Sequence, residues 1–303
     1  MLPPPKDGQT FVSVSPIHSG EITLPEQYFI NPADETAYHT VPSLSFLITH
    51  PGVGNGSSPR RMLFDLGLRS SITDYSEPQQ RHLENRKPHT IGPGVAAALQ
   101  KPGFIGPLDI DTVILSHVHY DHHGDPQHFP NAQFIVGPGT TDLLEHGLGG
   151  SASHQHFSRD LLPPYRTTEL PSIQSRGNRE YKWEQLGPFS SIDLFGDGSV
   201  FILDSPGHLP GHINLLCRLS ADKWVCLCGD AYHDRRLLTG ECDIAFWEGS
   251  DGSVCCIHND PASARKALGQ LQELAGMGSV ELIGAHDAGW LAANQDRMFP
   301  ACL

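Results

Sequence analysis

The chain has 303 residues, enough to bury a sizeable core, and 38% apolar content with 31 Gly and 25 Pro describes a loop-rich globular protein rather than a disordered one. Against 34 Asp and Glu stand 20 Lys and Arg, and the resulting charge of −14 repels phosphate backbones and anionic lipid. Nucleic acid and membrane surfaces are thereby excluded as partners, and a small molecule is expected instead.

The seven cysteines, odd in number and without a CxxC pair, offer neither a disulfide framework nor a zinc knuckle. Most lie in apolar runs such as Val225-Cys226-Leu227-Cys228, as small core residues. No charged start followed by an apolar stretch marks a signal peptide, and no apolar run approaches about 18 residues. A soluble cytoplasmic protein is expected.

Taken in order, residues 11–17 and 43–48 alternate in the manner of half-buried strands. A polar turn at 54–59 leads to a further strand at 61–67, so neighbouring strands here are expected to be largely antiparallel. Asp65 ends that strand before a Gly, a common place for a turn residue. Helical patterns follow at 78–84 and 94–99.

The apolar strand Thr112-Val113-Ile114-Leu115 then runs into Ser116-His117-Val118-His119-Tyr120-Asp121-His122-His123-Gly124. Side chains alternate on an extended chain, so His117 and His119 point to one side and can grip one cation. Asp121 and His122 fall where the chain turns, within reach of a second cation nearby. Three His and one Asp in this fixed pattern mark a metal site.

These residues resemble the HxHxDH signature of the metallo-β-lactamase superfamily, a dinuclear-metal hydrolase family with an αββα sandwich, two mixed sheets flanked by helices. The resemblance extends over nearly the whole chain as one domain, residues 1–303. It implies an upstream Asp that orients ligands, a lone downstream His, a bridging Asp and a last His. Asp65 stands at the first of these positions.

Beyond the motif come a short strand at 133–136 and a helix at 140–145. Periodicity is then lost from 147 to 188, a loop insertion of about 40 residues that is expected to cover the site and shape the pocket. His154 and His156 repeat an HxH spacing there, but without an acidic partner or a preceding strand they read as surface residues.

Strands at 190–195 and 199–204 precede Ser205-Pro206-Gly207-His208-Leu209-Pro210-Gly211-His212. The resemblance assigns His212, just before the next strand, as third ligand of the first metal, with His208 as the rival that supports the loop. A hairpin continues to Asp230-Ala231-Tyr232-His233, where Asp230 takes the bridging position. Asp260-Pro261 starts a helix whose apolar stripe is core, and a last strand leads to Gly284-Ala285-His286-Asp287, with His286 as the final ligand.

What the resemblance implies is two zinc ions, with iron or manganese compatible with the same donors. His117, His119 and His212 would hold one ion and Asp121, His122 and His286 the other, with Asp230 and a hydroxide between them. Asp121, Asp230, Tyr232 and His233 are the candidate catalytic residues. An Asp rather than a Cys at 230 is similar to the lactonase, glyoxalase II and nuclease branches. The Pro-Gly-His turns and the Gly-x-His-Asp ending resemble N-acyl homoserine lactonases. Those carry a Tyr where this chain has His233, with Tyr232 one residue closer to Asp230, and either side chain could donate to an oxyanion.

With seventeen residues after His286, no glutathione-binding extension like that of glyoxalase II is expected, and a charge of −14 does not suit an RNA nuclease. The expected activity is opening of a small cyclic ester or amide by the bridging hydroxide, the alternative being a thioesterase acting on an acyl-carrier or polyketide thioester. Trp247, Trp290 and Phe299 are candidates for a homodimer interface or for core.

Overall fold

The computed structural model describes residues 2–52, 58–100, 105–148, 156–175, 178, 180–249 and 251–303. His154 and most of the polar turn at 54–59 lie outside the described residues. The first half of the chain supplies β1 (Ser13–Pro25), β2 (Ile30–Asn31), β3 (Tyr38–His50), β4 (Arg60–Phe64), β5 (Thr112–Ile114), β6 (Gln133–Val136) and β7 (Thr167–Glu169). Helices α1 (Glu77–Glu84), α2 (Gly94–Leu99) and α3 (Thr140–His146) lie between them.

Next come β8 (Glu184–Leu186), β9 (Phe189–Asp193), β10 (Val200–Asp204), β11 (Ile213–Arg218) and β12 (Trp224–Leu227). The chain then closes with α4 (Arg235–Thr239), β13 (Asp243–Ile244), β14 (Trp247–Glu248), β15 (Val254–Cys255), α5 (Pro261–Ala275), β16 (Val280–Ile283) and α6 (Ala288–Ala293).

One six-stranded sheet has the order β1-β3-β4-β5-β6-β7 and the other β16-β12-β11-β10-β9-β8. Both are mixed. β1, β3 and β4 are antiparallel neighbours, and β4 through β7 are parallel. In the second sheet only the β12–β16 pair is parallel.

Strand alternation sorts the side chains into layers. Met62 and Phe64 of β4 and Ile114 of β5 meet Val200 and Ile202 of β10 and Leu215 of β11 in the core between the sheets. Leu63 and Val113, one residue over, face outward onto Val95 and Leu99 of α2. Phe201 and Leu203 likewise face Leu268 and Leu271 of α5. Each such side chain contributes about 1.5–3 kcal/mol by leaving water. The architecture is helix, sheet, sheet, helix.

The first strand continues past residue 17 to Pro25, with a register shift between His18 and Glu21. The 147–188 stretch is not all loop: β7 pairs with β6 and β8 with β9. Trp290 and Phe299 are buried core residues, and Trp247 packs against Tyr28 with ring centroids 4.9 Å apart. No helix among the described residues is long and apolar enough to cross a membrane.

Candidate metal centre

Four loops at the ends of strands β5, β10, β12 and β16 converge on one point between the sheets. The loop after β5 carries His117, His119, Asp121 and His122, all buried. It is held open by Asp65, which sits at φ 59, the left-handed conformation that Asp tolerates better than most residues. Ser116 donates its N–H to Asp65 Oδ1 (2.6 Å) and its hydroxyl to Oδ2 (2.7 Å), and His122 donates through Nδ1 to Oδ2 (2.9 Å). One buried carboxylate therefore fixes both the turn and the ring orientation of His122.

His117 Nε2 lies 2.9 Å from His119 Nδ1, which lies 3.0 Å from His208 Nε2. Asp230 Oδ2 approaches the same group, at 3.7 Å from His117 and 3.4 Å from His208. On its other side, Asp230 Oδ1 is 3.1 Å from His122 Nε2 and 3.3 Å from His286 Nε2, while Asp121 Oδ2 is 3.6 Å from His286 Nε2. Asp230 thus offers one oxygen to each of two donor groups, His117, His119 and His208, and Asp121, His122 and His286.

These donors fit divalent metal. Three imidazole nitrogens face one another at near hydrogen-bond distance, where a cation would engage all three lone pairs at once. Buried His122 Nε2 and Asp230 Oδ1 lie 3.1 Å apart as an ion pair but make no well-directed hydrogen bond among the described residues, and coordination would satisfy both. Burial first, then the neighbouring His122, pushes His117 well below its ordinary range, and burial does the same to His208. Neutral rings are the ligand-competent form. Although burial opposes its charge, His122, His286 and His233 hold the Asp230 carboxyl well below the usual carboxylate range.

His212 is a correction to the sequence expectation. Its Nδ1 donates to Ser205 O (2.8 Å) and its Nε2 accepts the Asp230 N–H (3.0 Å), so neither nitrogen is available to the cluster. Four residues earlier, His208 occupies the place in the donor group that was expected of His212. His212 instead holds the backbone of Asp230.

The remaining ligand rings are held from behind. Ser116 Oγ lies 3.0 Å from His117 Nδ1, and His286 Nδ1 donates to Pro42 O (2.8 Å). His233 lies on the pocket wall with Nε2 3.1 Å from Asp230 Oδ2, whereas the Tyr232 ring is buried among apolar residues behind Gly284. His156 is exposed, but its carbonyl accepts from Gln79 of α1 (3.2 Å), and Phe157 stacks on His119 with centroids 5.9 Å apart. Two residues of the insertion, His156 and Phe157, thus lie beside α1 and His119.

Sequence reasoning missed His258, buried beside His208 and His233 with both ring nitrogens unpartnered among the described residues. It also missed Arg86, which lines the pocket. No local pattern around either residue announced it. The pocket opens onto His119, Asp121, Asp230 and His286 and has Leu24, Phe29 and Ile257 on its walls.

The sequence profile of the metallo-beta-lactamase superfamily matches residues 91–275. The chain is 29% identical over 278 residues to cytochrome P450 monooxygenase mpaDE' of Penicillium brevicompactum, covering 82% of this chain but only 30% of that protein. It is 34% identical over 188 residues to gamma-lactamase MBL2 of Gibberella moniliformis, covering 57% of this chain and 70% of that protein. Among solved structures, an N-acyl homoserine lactone hydrolase with its product N-hexanoyl-L-homoserine at the catalytic metal centre superposes with a TM-score of 0.68. That pair is 18% identical over 96% of this chain and 98% of the other, a likeness of fold. With the family profile covering more than half its length, this chain belongs to the metallo-β-lactamase superfamily.

Proposed function

We propose that the protein is a dinuclear metal hydrolase that opens a small cyclic ester or amide. The observation that carries this reading is Asp230, with one carboxylate oxygen turned to each of two buried donor groups at the floor of a pocket with apolar walls. The gamma-lactamase among its relatives and the lactone hydrolase of the same fold support a ring substrate.

His117, His119 and His208 would hold one ion, and Asp121, His122 and His286 the other, with Asp230 shared. Two zinc ions, the default for this N/O donor set although iron or manganese would also fit, would supply Lewis acidity and activate water at neutral pH. The protein's own part is positional. Asp65 and Ser116 keep the His117 and His122 rings in their orientations, and His212 holds the backbone of Asp230. Leu24, Phe29 and Ile257 shield the ring of the substrate from water. His233, at the position where the resemblance places a Tyr, lies where it can donate to the oxygen that gains charge as the ring opens.

The test is acid release from a matched panel of lactones, lactams and thioesters, with Asp230→Asn as the metal-deficient control. Turnover of ring compounds, reduced at least about a thousandfold in Asp230→Asn, is the expected outcome. Turnover of thioesters alone would assign the protein as a thioesterase, and no turnover by metal-loaded protein would refute the hydrolase reading.

A further inference from the structure

We infer that Arg86 forms an anion subsite and that the ring compound turned over here carries a carboxylate. This rests on the proposed hydrolysis of a small ring and names its substrate class.

Arg86 follows the C-terminus of α1, where its N–H donates to Leu83 O (2.9 Å) and its carbonyl accepts the Thr23 N–H of β1 (3.0 Å). The backbone is thus fixed from two sides. The half-buried side chain reaches the pocket that opens onto Asp121, Asp230 and His286.

Its Nε–H donates to His82 Nε2 (3.2 Å), and the Tyr120 hydroxyl is its other side-chain partner. Neither carries a negative charge to match the guanidinium. Other arginines differ: Arg81, Arg235, Arg236, Arg265 and Arg297 each pair with a carboxylate. Arg86 has no carboxylate partner among the described residues.

A guanidinium partly withdrawn from water and lacking a counterion is unfavourable. It becomes favourable when a ligand supplies the carboxylate, because the planar fork of N–H donors matches two carboxylate oxygens. His82 supports the geometry by accepting the Nε–H and packing edge-on against Tyr120, with ring centroids 4.9 Å apart. One pocket then combines Asp230 of the donor groups, the Arg86 guanidinium and the apolar side chains of Leu24, Phe29 and Ile257.

Two readouts on metal-loaded protein test this. The first is calorimetric binding of cyclopentanecarboxylate against cyclopentanecarboxamide, neither of which can be hydrolysed as a ring. The second is the kcat/KM ratio for a γ-butyrolactone bearing a carboxylate over its amide counterpart. Wild type is expected to favour the acid in both. Arg86→Gln should weaken carboxylate binding and lower the kinetic ratio by roughly ten- to a hundredfold, with Arg86→Lys recovering part of each.

Equal wild-type affinity for acid and amide would overturn the inference. So would carboxylate affinity that Arg86→Gln does not move, which would mean that the metal centre holds the anion. If neither lactone is opened, the lactone reading is lost, and the calorimetry still decides the role of Arg86.

Discussion

His208 and His212 stand on the same pair of Pro-Gly turns, four residues apart, and both are buried. What separates them is the partner of each nitrogen. His212 spends both on backbone groups, whereas His208 turns Nε2 to the donor cluster. His208→Ala should lower the metal content from about two ions per chain to about one, read by elemental analysis after gel filtration. His212→Ala should retain about two ions while losing about 1–3 kcal/mol in urea melts, because Ser205 O and the Asp230 N–H are left without a partner. The reverse pattern would return the ligand role to His212. The contiguous run from His117 to His122 was legible because a single strand end places its donors. The choice between the two later histidines was not, because it depends on carbonyls and amides that no side-chain pattern displays. His258 and Arg86 lie in segments whose chemistry emerges only when distant elements close over the site.

At the scale of elements, α5 does more than cover a sheet. Its N-cap Asp260 accepts from the N–H groups of Ala262 and Ser263, and the stripe from Ala264 to Leu274 is buried. These features follow directly from Asp260-Pro261 and the helical spacing. The residues leading into α5 also seat the loop that carries His208: the Asn259 N–H donates to His208 O (3.0 Å) and the Asp260 N–H to Gly207 O (2.8 Å). Gly207 has φ +131, and a Cβ there would meet the Ala264 N at 2.3 Å. That is backbone, which cannot swing aside. Gly207→Ala should therefore cost about 2 kcal/mol or more in urea melts and weaken metal binding by displacing His208. A melt and a metal content equal to wild type would show that helix and loop are not seated on each other.

For the molecule as a whole, both sheets were legible wherever strands alternate over five or more residues, as in β3 and β10. β7 and β8 were not: the equally short β5 is marked by its apolar run, whereas Thr167-Thr168-Glu169 and Glu184-Gln185-Leu186 are mostly polar and owe their existence to a neighbour in the sheet. Stability should also depend on pH through Asp204 at the end of β10. Burial raises its carboxyl from 3.8 to about 6, with Lys266 opposing. An acid whose folded value is raised keeps its proton more tightly when folded. Its contribution is greatest below pH 3.8 and is lost as pH rises through 6, a difference of about 3 kcal/mol. Asp204→Asn is expected to stabilise the protein at pH 8 and leave it near wild type at pH 4, measured by urea melts at both values.

The donors come from strand ends in both sheets: His117, His119, Asp121 and His122 after β5 of one, and His208, Asp230 and His286 after β10, β12 and β16 of the other. Neither half of the sandwich possesses a complete set. A cation bound at this seam works as a rivet through two plates, and its binding energy counts toward keeping the plates together. Ions bound there would add to the stability of the fold, so chelation should lower the urea midpoint as well as any activity.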